Sequence, residues 1–185
     1  MWAGPDGNER LTAVSGAVLF LLLAAEGVTI LFIRPLLSAH VFIGMLLVPP
    51  VALKLASTGW RFLRYYRGTS EYVAKGPPLL PLRLLAPLVV VSTLVLFGTG
   101  IALIVRGPGG GLLLGLHKAS FVVWLAATAV HVLAYVWRVP RLALAARSPW
   151  LLVAGVIAVG AVLAGATVRY AHPWVQWAAN FHGDH

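Results

Sequence analysis

Long apolar runs, separated by short polar and Gly/Pro-rich stretches, organise this chain from one end to the other. They cover residues 11–33, 36–58, 84–105, 112–137 and 150–168. A helix needs about 20 predominantly apolar residues to cross a bilayer, and these runs meet or approach that length. The first run is longer than the 7–15-residue apolar core typical of a secretory leader, so it is expected to stay as an anchor. "RP" at Arg34–Pro35 reads as a tight hairpin, and "RGPGGG" after the third run reads as a flexible turn. Residues 1–10 form a polar start. Residues 169–185 form a tail with too few consecutive apolar positions to cross, expected on the outer face. No repeat period is evident. The expectation is an all-α integral membrane protein, a bundle of about five transmembrane helices forming a single membrane domain over residues 11–168.

Composition agrees with this reading. The chain is 60% hydrophobic and only 10% charged, with a mean hydropathy of +0.90; a soluble domain is about a quarter charged. Its formal charge of +9 would suggest nucleic acid in a soluble protein, but in a membrane chain basic residues mark cytoplasmic loops, so no nucleic-acid partner is expected. Lys54, near the inner end of the second run, groups with Arg61, Arg64, Arg67, Lys75 and Arg83 of the second-to-third connection, and Arg138, Arg141 and Arg147 fall between the fourth and fifth runs. Only Arg34, Arg106, Lys118 and Arg169 fall on the opposite side. This asymmetry places the amino terminus in the cytoplasm and the tail outside. Tyr65, Tyr66, Trp137 and Trp150 stand where interfacial aromatics belong. The absence of cysteine excludes disulfides, thiolate metal sites, Cys-ligated iron–sulfur clusters and covalent c-type haem. Histidine remains as the side chain best able to hold a metal.

Three histidines fall within the runs. His117 and His131 are fourteen residues apart on the fourth; fourteen steps of 100° leave about 40°, so they share a helix face about 21 Å apart along the axis. One therefore belongs to each leaflet. His40 lies about five residues into the second run, and His117 about six into the fourth, both from the outer side. Imidazoles at matching depth on two helices can clamp a haem iron from both faces. Arg34, Arg106 or Lys118 would neutralise the propionates, and Gly44 and Gly115 would let a flat macrocycle approach. The plainer alternative has each histidine bonded to a neighbouring carbonyl or hydroxyl, as any imidazole in hydrocarbon must find a partner.

The pattern resembles the bacterial cytochrome b561 and formate dehydrogenase gamma-subunit group of membrane b-type cytochromes, over roughly residues 10–140. "HVFIGMLLVPPVALKLASTGWRFLRYY" also looks like a stretch of uncharacterised bacterial membrane proteins of similar length. In the cytochrome group a helix like the fourth carries two haem-ligating histidines fourteen apart, and the outer one shares its haem with a histidine near the outer end of the second helix. The resemblance implies an outer haem b on His40 and His117, His131 as half of an inner haem site, a membrane quinone, a redox partner on the outer face and a place in the bacterial inner membrane. The chain departs from that group at "NERLTAVSG", where the histidine completing an inner haem is missing. Lys54, fourteen residues past His40, falls at that level. It would either ligate as a neutral amine or snorkel to the interface. One haem is expected first, two second.

Glu26 in the first run is an ionisable group in the membrane, either relaying protons to a quinone or pairing with a buried polar group. Gly155, Gly160 and Gly165 recur among alanines in the fifth run and read as a close-packing face. In the tail, His172 and the closing "HGDH" (His182, Asp184, His185) offer metal ligands but read as a solvated end. Phosphate loops, HExxH and catalytic triads are absent, so an electron-transfer subunit of an oxidoreductase complex is expected rather than a free-standing enzyme. The competing functions are a haem-free anchor or assembly subunit and a small proton-coupled transporter.

Overall fold

The computed structural model describes residues 4–77, 80–109, 111–135, 137 and 149–180. Its elements are α1 (Pro5–Leu31), α2 (Ile33–Tyr66), the short α3 (Ser70–Ala74), α4 (Leu80–Arg106), α5 (Gly111–Tyr135), α6 (Pro149–Thr167), a 3₁₀ turn (Val168–Ala171) and α7 (His172–Asn180). Five helices are long and apolar enough to cross a membrane, and no strand occurs among the described residues. The protein is an all-α membrane bundle. Arg138, Arg141, Arg147 and the closing HGDH lie outside the described residues.

The helices run past the apolar stretches that suggested them. The polar start joins α1, with Pro5 at its first turn, where a missing N–H costs nothing. Asn8 is buried and donates from Nδ2 to the Ser57 carbonyl at 2.9 Å. α2 continues beyond residue 58 to Tyr66 as an aromatic, basic extension. Between α1 and α2 the helical path breaks at Phe32 (φ −122°, ψ 44°), with a further irregularity at Leu36 just after Pro35. α2 remains helical through Pro49 and Pro50. At the end of α4, Gly107 takes a left-handed φ of 73°, and its N–H donates to the Leu103 carbonyl at 3.0 Å. Glycine adopts this cap without steric cost.

Packing divides the bundle into two parts. α2 lies along both α1 and α6, with a core of Val14 and Val153 flanked by Leu11, Ala17, Val18, Leu53 and Ile157. α4 and α5 form a separate hairpin, tied where Trp124 Nε1 donates to Thr93 Oγ1 at 3.0 Å. Between the parts, backbone contact is slight and falls mainly on α2 and α4. The tail joins them at the end where the α1–α2 and α4–α5 turns lie: buried Trp174 of α7 donates from Nε1 to the Leu103 carbonyl at 3.1 Å. Large apolar side chains such as Leu21, Leu31, Val105, Leu112, Leu151 and Val162 face outward, the inverse of a soluble domain and the arrangement a lipid solvent favours.

At the opposite end, Lys75 beyond α3 reaches Asp6 at 2.5 Å and Glu9 at 2.6 Å on α1. These carboxylates hold the Lys75 ammonium above the ordinary lysine range.

Candidate functional site

Hairpin arithmetic brings the first two site residues together. Glu26 lies six residues before the break at Phe32 and His40 eight after it, about 9 and 12 Å along antiparallel axes. In the second hairpin, Thr99 lies seven residues before Arg106 and His117 six after Gly111, about 10 and 9 Å. Each histidine thus comes level with polar residues on the neighbouring helix of its own hairpin.

His40 Nδ1 is 2.9 Å from Glu26 Oε1 and 3.1 Å from Thr29 Oγ1. Thr29 Oγ1 also lies 2.6 Å from the Glu26 carbonyl and 3.2 Å from Glu26 Oε2, both acceptors for its hydroxyl hydrogen. With two acceptors facing Nδ1, His40 carries a proton on Nδ1. The side chains of His40 and Glu26 are 23% and 13% exposed, so the pair is mostly withdrawn from its surroundings.

His117 has a similar but neutral setting. Its Nδ1 lies 3.1 Å from Thr99 Oγ1, whose hydroxyl reaches the Val95 carbonyl at 2.8 Å and the Leu96 carbonyl at 3.0 Å. The hydroxyl hydrogen of Thr99 is therefore directed to its own helix, and His117 too carries its proton on Nδ1. Gly100 makes room for the ring: a Cβ there would stand 3.2 Å from His117 Cε1. A Cβ on Gly44 would meet only Glu26 Oε1 at 3.5 Å, and one on Gly115 would meet nothing within 4 Å.

The rings approach each other from the two parts of the bundle, with centroids 6.4 Å apart and planes crossed at 79°. Two imidazoles on one metal ion, each nitrogen about 2.0 Å from the ion and about 1.1 Å from its ring centre, would have centroids about 6.2 Å apart. Direct edge-to-face contact of rings also extends to about 7 Å. The bonds made by both rings use Nδ1, and Nδ1 faces each ring's own hairpin. No group of three or more histidine and carboxylate side chains converges on a metal position among the described residues. The carboxylate nearest His40 is engaged behind the ring. The described residues thus bring two imidazoles and one carboxylate together without assembling a tetrahedral donor set.

His131 stands apart from this pair, fourteen residues beyond His117 on α5. Lys54 turns toward α1: its Nζ donates to the Thr12 carbonyl and sits where a Cβ on Gly16 would come within 3.1 Å. Thr12, Ser57 and Asn8 extend this contact into a polar network between α1 and α2. Arg106 and Lys118 are exposed at the hairpin end. Sequence reasoning found His40, His117 and Glu26 but missed Thr29, Thr99 and Gly100; the "FGTGI" stretch of α4 gave the one faint signal, a threonine and glycines inside an otherwise apolar run.

No family model matches this chain, and neither a curated protein nor a solved structure matches it.

Proposed function

We propose that the protein is a membrane b-type cytochrome that binds one haem between His40 and His117 and passes single electrons. The observation that carries the reading is the pair of crossed imidazoles, 6.4 Å apart and at one level, each tied through Nδ1 to its own hairpin. Ligands fixed in this way need little rearrangement to present Nε2, which lowers the ordering cost of binding. The slight contact between the α1–α2–α6 part and the α4–α5 hairpin supports it further, because a flat group held edge-on can separate helices there without breaking a packed core.

Haem b, when bound, would supply a one-electron couple; His40 and His117 would hold it, and the apolar helices around them would exclude water. Arg106 and Lys118 would neutralise propionates directed to the hairpin end. In this reading that end is the outer face of a bacterial inner membrane, where the basic asymmetry of the loops puts it. The electrons would run between a membrane quinone pool and a redox partner docked on that face. The first helix starts with "NERLTAVSG" and offers no histidine there, which makes one haem the expected content and an inner haem on His131 the second alternative.

Pyridine haemochrome quantification on protein produced with ample haem tests this. One haem b per polypeptide is expected. A stably folded, colourless preparation would instead favour the haem-free anchor, with the two rings in direct contact.

A further inference from the structure

The two axial histidines are not equivalent. Behind His40 stands a carboxylate, Glu26 Oε1 at 2.9 Å; behind His117 stands a neutral hydroxyl, Thr99 Oγ1 at 3.1 Å. A hydrogen bond from imidazole N–H to a carboxylate fixes the ring's tautomer and orientation and increases electron donation from the opposite nitrogen. Bonds of this kind are shorter and roughly twice as strong as neutral ones. Glu26 is itself held, since Thr29 lies within bonding distance of both its carboxylate and its carbonyl. Its side chain is only 13% exposed. An acidic residue in an apolar helix is costly unless it is paired, and His40 and Thr29 supply the partners here.

We propose that Glu26 is a positioning residue that acts through His40, making it the stronger electron donor of the two axial ligands and holding the haem couple toward the ferric side. This rests on the haem reading above. It assigns to the carboxylate a task different from relaying protons, and it makes α1, which contributes no ligand, the helix that sets the potential.

Potentiometric titration of the low-spin haem band in the purified full-length chain tests it. Glu26→Gln keeps the shape and leaves a neutral acceptor. It is expected to retain one haem and to shift the ferric/ferrous equilibrium at least tenfold toward ferrous, about 59 mV upward for one electron. Thr99→Val, behind the other ligand, is expected to shift it less. A retained haem with unchanged potential in Glu26→Gln overturns the proposal, as does a larger shift in Thr99→Val. Should Glu26→Gln lose its haem, Glu26→Asp, which keeps a carboxylate, is expected to recover it at a potential closer to wild type; failure to recover with the fold intact also overturns the proposal. Failure of the underlying haem reading is seen separately, as a wild-type protein without haem, before any Glu26 variant is made.

Discussion

Gly160 is the position where one added methyl group does most damage. A Cβ built there would stand 2.4 Å from the Leu46 carbonyl oxygen and 3.3 Å from its carbonyl carbon. Pro50, four residues beyond Leu46, has no N–H, so this carbonyl lacks its usual helical donor and is left facing α6. Glycine lets the two backbones approach closely there. Ordinary contact begins at 3.4 Å, so Gly160→Ala forces α6 and α2 about 1 Å apart at the centre of the bundle's most extensive helix pair. Overpacking of this kind costs about 1–3 kcal/mol, and the upper end is expected because backbone on both sides resists. Gly155 and Gly165 supply the control, since a Cβ at either meets nothing within 4 Å; alanine there is expected to be neutral or to stabilise by up to about 1 kcal/mol. Reversible unfolding in mixed micelles, followed by tryptophan fluorescence, measures all three. Equal stability of Gly160→Ala and wild type would refute the backbone contact, and losses of equal size at all three glycines would refute its location.

Two further predictions concern the site and the basic end. The 79° crossing of the His40 and His117 planes predicts the strongly anisotropic low-spin ferric EPR signal of crossed imidazoles; the more rhombic signal of parallel rings would contradict the ring geometry. Lys75 is held above its ordinary pKa by Asp6 and Glu9, so the stability it lends is fully present below about pH 10.4, the unfolded lysine value, and is lost as pH rises through the higher folded value. Hydrogen exchange at the start of α1 should accelerate over that window in wild type and show no such step in Lys75→Met. The pair is solvent-exposed, so the effect should be local and weakened by salt.

The fold was legible because a bilayer demands long apolar helices, and the runs at 11–33, 36–58, 84–105, 112–137 and 150–168 each correspond to one. Their ends were less so: α1 begins at Pro5, with Asn8 bonded to the Ser57 carbonyl, and α2 runs on to Tyr66, and hydropathy reports neither. Matching depth for His40 and His117 follows from counting residues from the turns, so their meeting was legible too. Their partners depend on the rotation of one helix against its neighbour, and the run of apolar residues leaves that rotation open. Hence Glu26 was visible without its partner His40, while Thr29, Thr99 and Gly100 stayed hidden. The same indeterminacy affected the glycine stripe of α6, where only Gly160 touches a neighbour. Lys54 was expected either at a haem or at the interface; its ammonium donates to the Thr12 carbonyl, an acceptor that depends on the α1–α2 register.

The central claim is that His40 and His117 hold one haem between them. The reduced-minus-oxidised spectrum of three single variants, each checked for intact fold, tests it most directly. His40→Ala and His117→Ala should each lose the low-spin haem b band, while His131→Ala should keep it at wild-type intensity. Full haem content in both of the first two variants would contradict the account.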